Sequence, residues 1–242
     1  MQRYFINELH QNTEHILIQG NDFHHMKHVM RMVPGDQVIL NDRSGIAYLA
    51  VLEGYAQDTA RLKRLELLQE KPELNVTIAQ ALIKRDGMEL AIAKATEFGA
   101  KAIIPTAFSR SIVKIDDSET AVKKTIRYQT IAKEAAEQCQ RNHVPLIKEP
   151  LKLKELPFAD YDHIWVAYEA SKPEDTLARA IESAKFEESI LVIIGPEGGI
   201  EASEIAFLKT QGAKIVDLGV RILRSETAAL YLLSVLAYLW RR

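Results

Sequence analysis

The residues best suited to bind a ligand lie in a glycine-rich segment, Gly195-Pro-Glu-Gly-Gly199, between an apolar run and a predicted helix. In an open α/β sheet, ligands bind where the chain leaves the carboxyl end of a strand. Gly198 and Gly199 have no Cβ, so a ligand can approach their backbone closely. The spacing matches neither a dinucleotide fingerprint nor a phosphate-binding loop. The segment indicates a ligand loop, and a tight turn that needs two glycines is the alternative.

A second segment, residues 218–228, follows the next predicted strand and contains several charged residues. Ser225 is typical of a helix N-cap, and Glu226 falls in the first helical turn, where an acidic residue stabilises the helix. Arg221 and Arg224 have the opposite effect, because a cation is unfavourable at a helix N-terminus. We therefore expect Arg224 to serve an anionic ligand or an acidic partner.

Residues 134–143 are predicted to end a helix. They place Glu137, Gln138 and Arg141 within one turn of each other. Arg141 has two interpretations, an anion ligand or simple compensation of the negative end of the helix dipole.

Five of the seven histidines fall in the first 28 residues. His24 and His28 share a helix face and resemble a metal-binding pair, but no carboxylate completes a tetrahedral set, so no metal site is predicted. A surface that contacts phosphates or bases, with Lys27 and Arg31, is favoured over metal. An ordinary solvated helix face is an equal alternative.

The first 70 residues are predicted to form short strands at 37–40, 47–52 and 61–67, with a helix at 22–32 capped by Asn21 or Asp22. Strands at this spacing predict a small β-barrel.

The pattern changes after the polar residues 70–73, so we predict two domains, 1–72 and 73–242. Apolar strands then alternate with helices, which is typical of an α/β fold with a parallel sheet covered on both faces. The predicted strands are 76–82, 102–105, 163–168, 189–194 and 214–218. The predicted helices are 86–98, 118–138, 175–184, 201–211 and 225–240.

The composition of the 242 residues, 47% hydrophobic and 26% charged, excludes a mainly disordered or fibrous chain. The single Cys139 excludes an intrachain disulfide and an all-cysteine metal site. No signal-peptide pattern and no membrane span are evident, so a cytoplasmic protein is expected. The net charge of −2 excludes a nucleic-acid-binding protein that is basic over its whole chain. The charge is uneven, however, because residues 101–148 carry nine basic against five acidic side chains.

The last predicted helix is apolar nearly all round between residues 228 and 240. Such a helix must be buried on more than one side. We expect a second subunit to provide the additional surface.

Five segments in order resemble one known family, the 16S ribosomal RNA uracil-N3 methyltransferases of the SPOUT class. They are residues 21–36, 94–99, 137–145, 194–200 and 218–229. The first resembles the RNA-binding PUA-like domain of that family, and the last two resemble its signature segments. Val220 and Phe98 are small apolar departures from the pattern.

The resemblance implies a trefoil-knotted methyltransferase domain, a homodimer with the site at the subunit interface, and S-adenosylmethionine as cofactor. The residues expected to hold the cofactor are Ile194, Gly195, Gly198, Gly199, Leu218, Gly219, Leu223, Thr227 and Ala228. The residues expected to hold the RNA are Arg3, Lys27, His28 and Arg31 in the N-terminal domain, and Arg110 and Lys114 in the catalytic domain.

The implied reaction transfers a methyl group from a sulfonium to N3 of a uridine in the small ribosomal subunit. Because N3 carries a proton in neutral uracil, the site needs a base or cations that stabilise the uracil anion. The candidates are Arg224 and Arg141 for the anion, and Glu226 or Glu197 for the proton. No metal is required, because a sulfonium is already an activated leaving group.

Ribose 2′-O methylation of RNA is the alternative reaction within the same superfamily. A non-catalytic RNA-binding protein is an alternative of a different class, and the intact loop at residues 195–199 argues against it. A nucleotide-dependent oxidoreductase is the weakest alternative, because its glycine fingerprint is missing.

Overall fold

The computed structural model describes residues 1–6, 13–42, 45–69, 72–114, 117–169 and 174–240. The chain divides into two compact units, one of Met1–Pro72 with Ala136–Val144 and one of Glu73–Ala135 with Pro145–Arg242. The segment Ala136–Val144 thus groups with the first unit, whereas the sequence-based division assigned it to the second domain. Among the described helices, none is long and apolar enough to cross a bilayer.

The first unit contains a mixed five-stranded sheet with the strand order β1-β3-β4-β5-β2. Its strands are β1 Gln2–Phe5, β2 His15–Ile18, β3 Gln37–Asn41, β4 Ala47–Ala56 and β5 Thr59–Leu68. β1 and β3 are parallel, and the other pairs are antiparallel. The three predicted strands are confirmed. β1 and β2 were not predicted from the sequence.

A short helical segment lies between β2 and β3. It consists of helix α1, Gly20–His24, and a π-helix, His25–Val29. The predicted cap at Asn21 or Asp22 is wrong, because both residues lie inside α1. The core of this unit is formed by large apolar side chains, including Tyr4, Met26, Leu40, Leu52 and Leu62.

The second unit contains a parallel seven-stranded sheet, in which β12-β10-β11-β6-β7-β8 are neighbours in that order and β9 also pairs with β7. Its strands are β6 Val76–Ala81, β7 Ala102–Ala107, β8 Leu146–Ile147, β9 Leu151–Lys152, β10 His163–Ala167, β11 Ile190–Ile194 and β12 Lys214–Val216. The predicted parallel sheet is confirmed. Only the two-residue strands β8 and β9 were missed.

The helices that follow these strands are α2 Arg85–Glu97, α3 Ser118–Gln138, α4 Leu177–Glu182, α5 Ala202–Thr210 and α6 Ser225–Leu239. Two 3-10 helices, Leu153–Glu155 and Phe158–Asp160, precede β10. All five residues of β11 are buried, as expected for a strand covered on both faces.

Helix α6 packs against α2 and against the central strands β6 and β11. Ala229, Leu232 and Leu236 on one face are buried, whereas Tyr238 and Leu239 are exposed. The sheet and α2 therefore cover one side of α6, and Tyr238 and Leu239 remain exposed in the single chain.

Candidate functional site

Three adjacent parallel strands of the second unit end at the same edge of its sheet. β10 lies between β11 and β12, so the loops that follow Ala167, Ile194 and Val216 emerge side by side. Two of these loops are the segments that the sequence singled out, and a hydrogen bond from Ser225 Oγ to the Gly195 carbonyl (2.6 Å) joins them directly.

The loop at residues 195–199, here called the glycine loop, forms a tight turn in which Gly199 N–H donates to the Pro196 carbonyl (2.9 Å). Gly199 has a φ of +75°, which L side chains rarely adopt. A Cβ on Gly198 would lie 3.2 Å from Arg110 Cβ and 3.3 Å from the Arg110 carbonyl oxygen. The two glycines therefore serve the turn and a close packing contact with Arg110.

The loop after β7 braces the glycine loop and the start of α5. Arg110 Nη1 donates to the Gly198 carbonyl (3.2 Å), and its Nε lies 3.5 Å from Glu201 Oε1. Glu204 is buried and accepts hydrogen bonds from the backbone and hydroxyl of Ser109 (2.8 and 3.0 Å). Arg110, which was predicted to contact RNA, thus lies against the glycine loop.

The loop after β12, residues 217–224, is here called the open loop. Within this loop the backbone N–H of Gly219 donates to Asp217 Oδ1 (3.0 Å). Val220 is 99% exposed and Ile222 is 86% exposed. Apolar side chains that are grouped on a surface mark a site of interaction.

Two arginines of the open loop, Arg221 and Arg224, are exposed. Arg224 precedes α6 and makes no side-chain capping hydrogen bond. Within the described part of the chain, neither guanidinium has a recorded hydrogen-bond or ion-pair partner. Both cations are therefore open to an anion from outside the chain.

Ser225 does not cap α6, so that prediction is wrong. It is the first residue of the helix, and Arg224 occupies the cap position. Its hydroxyl donates to the Gly195 carbonyl and accepts from Gln80 Nε2 (2.8 Å). The hydroxyl is directed to these two tertiary partners rather than to a backbone N–H at the start of the helix.

The two carboxylates proposed as proton acceptors lie in different surroundings. Glu197 is exposed on the glycine loop. Glu226 is half-buried and faces helix α2, since a Cβ on Gly87 would lie 3.8 Å from Glu226 Oε2. Glu197 is the more open of the two to solvent.

Arg141 and Arg3 are joined in the first unit. Arg141 is 8% exposed, and its carbonyl accepts from Arg3 Nη1 (2.8 Å). The same Nη1 lies 2.9 Å from Asn41 Oδ1 and 2.8 Å from Asn142 Oδ1. Because Arg3 is only 4% exposed and bonded in this way, the prediction that it contacts RNA is not supported. Arg3 instead fastens the segment Ala136–Val144 to the sheet.

The predicted RNA surface of the first unit combines basic and aromatic side chains. Lys27 Nζ lies 5.2 Å from the ring centre of Phe23 and 5.5 Å from that of Tyr55. The exposed rings of His24 and His28 lie 4.9 Å apart. Cations over aromatic faces beside open imidazoles suit contacts with phosphates and bases.

Two further predicted RNA contacts, Arg31 and Lys114, are exposed, and Arg31 has a φ of +52° just after the π-helix.

His25, unlike the exposed His24 and His28, has a hydrogen-bond partner in the first unit, because the Tyr4 hydroxyl lies 3.0 Å from its Nδ1. Burial raises the pKa of Tyr4, so this hydroxyl stays protonated. In the described ranges, no three His, Cys, Asp or Glu side chains are grouped as metal ligands.

Sequence reasoning missed two residues of the site, Gln80 and Glu169. Gln80 is a buried amide in the otherwise almost wholly apolar strand β6, which could have signalled it, because a buried amide requires partners. Glu169 follows β10, and its Oε1 lies 3.6 Å from the position of a Cβ on Gly199. No local pattern distinguishes Glu169 from other surface carboxylates.

A family model described as an RNA methyltransferase domain matches residues 69–237, and one described as an RNA methyltransferase PUA domain matches residues 18–56. The chain is 40% identical over 248 residues to the ribosomal RNA small subunit methyltransferase E of Bacillus subtilis. That match covers 98% of this chain and 96% of the relative. The chain belongs to the ribosomal RNA small subunit methyltransferase E family.

Two solved structures extend the likeness to methyltransferase E and related enzymes. Methyltransferase E of Neisseria gonorrhoeae, bound to S-adenosyl methionine, matches with a TM-score of 0.85 and 28% identity over 99% of this chain and 98% of that one. A methyltransferase of Legionella pneumophila, in complex with the same cofactor, matches with a TM-score of 0.84 and 29% identity over 98% and 97% of the two chains. The family and the two-part fold predicted from the sequence are confirmed.

Proposed function

We propose that the protein methylates N3 of a specific uridine in 16S ribosomal RNA, with S-adenosylmethionine as the methyl donor. The observation that carries this proposal is the pair of exposed guanidiniums, Arg221 and Arg224, beside a glycine loop at the carboxyl edge of a parallel sheet. In a member of this family, two guanidiniums beside the cofactor loop can stabilise a nucleophile that becomes negatively charged before it accepts the methyl group.

The glycine loop fits the cofactor by its shape and its charges. When bound, the cofactor supplies a methyl group on a positively charged sulfonium. Glu169 Oε1 and Arg110 Nη1 lie 3.6 and 3.9 Å from the position of a Cβ on Gly199, so a carboxylate and a guanidinium flank open backbone. The Glu169 carboxylate matches the ammonium of an amino-acid group, whereas Arg110 is engaged with the Gly198 carbonyl and with Glu201. We assign the cofactor contacts to Ile194, Gly195, Gly198, Gly199, Leu218, Gly219, Leu223, Thr227 and Ala228.

The main chemical task of the chain is to make N3 nucleophilic. The N3–H bond breaks and leaves its electron pair on N3, which forms the bond to the methyl carbon as the carbon–sulfur bond breaks toward sulfur. Arg224 donates to a uracil carbonyl oxygen and stabilises the charge spread over N3 and both oxygens. Arg141 is the second candidate for this role. Glu226, Glu197 or water accepts the proton.

The first unit holds the RNA through Lys27, His28 and Arg31, and Arg110 and Lys114 of the second unit add backbone contacts. The target base leaves its stack to meet the methyl group. We further propose a trefoil knot around the cofactor loops, a homodimer that covers the exposed apolar face of α6, and action in the cytoplasm on the small ribosomal subunit.

Nucleoside mass analysis tests this function. Purified protein is incubated with isotopically labelled S-adenosylmethionine and either small subunits or naked 16S RNA, and the RNA is digested to nucleosides. We expect labelled 3-methyluridine. Because a methyl group on N3 blocks Watson–Crick pairing, primer extension on RNA from cells that lack the protein should lose one stop. A labelled 2′-O-methylnucleoside would contradict the N3 assignment, and no incorporation on either substrate would contradict methyl transfer.

A further inference from the structure

A buried polar network joins three elements of the second unit at its carboxyl edge. Gln80 is 1% exposed in the central strand β6, where it is paired in register with Ile194, the last residue of β11. Its amide reaches Ser225 at the start of α6, and Ser225 reaches the Gly195 carbonyl. One glutamine thus links the glycine loop to the helix that follows the open loop.

The direction of each hydrogen bond follows from the number of protons. A carbonyl can only accept, so the 2.6 Å contact between Ser225 Oγ and the Gly195 carbonyl uses the single hydroxyl proton. Ser225 must then accept from Gln80, which fixes the amide with Nε2 toward the hydroxyl at 2.8 Å. The same Nε2 also lies 3.5 Å from the Ala81 carbonyl, near the limit for a hydrogen bond.

The amide is a poor choice for stability alone. Gln80 Oε1 is buried and has no hydrogen-bond partner among the described residues. An unpaired buried acceptor destabilises the folded state, and an apolar side chain of similar length would avoid that penalty. Because the amide lies beside both loops and bonds Ser225, we expect its role to lie in the arrangement of the loops rather than in stability.

We propose that Gln80 is a positioning residue for methyl transfer. Through Ser225 it holds the Gly195 carbonyl and the first turn of α6 in one arrangement, and Arg224 is the residue just before that turn. The inference rests on the proposed function, because it supposes that the glycine loop holds the cofactor and that Arg224 faces the uracil. Loss of the link should affect both loops together.

Three variants of the full-length protein test the link: Gln80→Met, Ser225→Ala and the double variant. Each single change should weaken S-adenosylmethionine binding in calorimetry by about 3- to 10-fold, the range expected for one neutral hydrogen bond, and should also lower kcat. The double variant should lose no more than the larger single effect, because both changes break the same link. The Tm of Gln80→Met should equal or exceed that of the parent.

Gln80→Glu adds a readout in pH. An ionised carboxylate can only accept, so it draws the Ser225 proton away from the Gly195 carbonyl. A protonated carboxyl donates as the amide does. Burial raises the pKa of such a carboxyl, so cofactor affinity should be close to that of the parent below this pKa and should fall as the pH rises through it. Gln80→Met should show no such pH dependence relative to the parent.

Gln129→Met is the matched control. Gln129 donates to the Pro145 carbonyl (3.0 Å) and accepts from the Ile147 N–H (3.0 Å), beside β8 at the amino end of β7. This variant should lower the Tm and leave cofactor affinity and kcat unchanged. The positioning role is overturned if Gln80→Met and Ser225→Ala bind and turn over like the parent, or if their losses multiply in the double variant. A parent that binds no cofactor would overturn the proposed function as well.

Discussion

The glycine loop and the open loop emerge at the same edge of one sheet, but they are held very differently. The glycine loop is fixed by an internal turn, by Arg110 and by Ser225. The open loop exposes nearly all of Val220 and Ile222, and neither of its two arginines has a recorded polar partner within the described residues. The glycine loop is therefore ordered by contacts within the chain, whereas the open loop presents exposed side chains to solvent.

This difference suggests a division of roles. A loop that is already ordered loses little conformational entropy on binding, which favours affinity for a small ligand. A loop with exposed cations and exposed apolar groups gains contacts when a ligand or a partner covers it. We therefore expect changes in the glycine loop to act on the cofactor Kd, changes at the exposed arginines of the open loop to act on kcat, and changes at the exposed end of α6 to act on assembly.

The largest effect is expected for Arg224→Ala in the open loop. Removing one donor to a developing anion lowers the rate by about 10²–10³-fold, so kcat should fall by that factor while cofactor Kd stays nearly constant. Arg224→Lys should recover only part of the rate, because an ammonium donates less well to a carbonyl oxygen. Single-turnover assays on small subunits and calorimetry measure the two quantities.

A rising pH should rescue Arg224→Ala more than the parent, because hydroxide then helps to form the uracil anion. If Arg224→Ala weakened cofactor binding and kept its turnover at saturation, Arg224 would be a cofactor ligand and the contrast between the loops would fail.

The next effect concerns the open side of α6, where Tyr238 is 76% exposed. If a second subunit covers this face, Tyr238→Glu should raise the dimer Kd by about 30-fold or more, as for an interface hot spot. Light scattering should then show a monomer of 27.3 kDa in place of a dimer. Leu90→Glu, an exposed apolar position on α2, is the control and should remain dimeric. A parent that is monomeric at micromolar concentration would exclude the dimer.

A smaller effect is expected for Gly199→Val in the glycine loop. The φ of +75° and the added side chain should weaken cofactor binding by at least about tenfold. Gly212→Val is the matched control, because Gly212 has a φ of +80° and no atom within 4 Å of its Cβ position. Both variants should lose stability through backbone strain, but only Gly199→Val should lose affinity. Equal affinities in calorimetry would mean that the glycine loop does not hold the cofactor.

The smallest effect is expected for Arg110→Met. Its side chain is 53% exposed in the pair with Glu201, and exposed pairs contribute little. The turn and the Ser225 bond should hold the glycine loop without it, so cofactor affinity should change by less than about threefold. If Arg110 also contacts a phosphate, RNA binding should weaken, and the slope of the logarithm of the RNA-binding constant against the logarithm of salt concentration should fall by about one. A tenfold loss of cofactor affinity would show that Arg110, rather than the turn, orders the loop.

Much of the fold could be predicted from local sequence patterns. The apolar run of β11 and the alternation of strands and helices specify a covered parallel sheet, because each pattern reflects burial of neighbouring residues. Helix α3 begins and ends at the predicted residues. The glycines at 198 and 199 and the position of Arg224 before a helix were also evident, since turns and helix ends depend on a few consecutive residues.

Other features were decided only by the tertiary structure. Ser225 has the local signature of an N-cap, yet its hydroxyl bonds Gln80, which is 145 residues away in the chain. Arg3 is a surface cation by composition, yet it is buried against Asn41 and the segment Ala136–Val144. Local sequence specifies which residues favour a turn or a strand, but a side chain's hydrogen-bond partners depend on distant residues that only the folded chain brings within 3 Å.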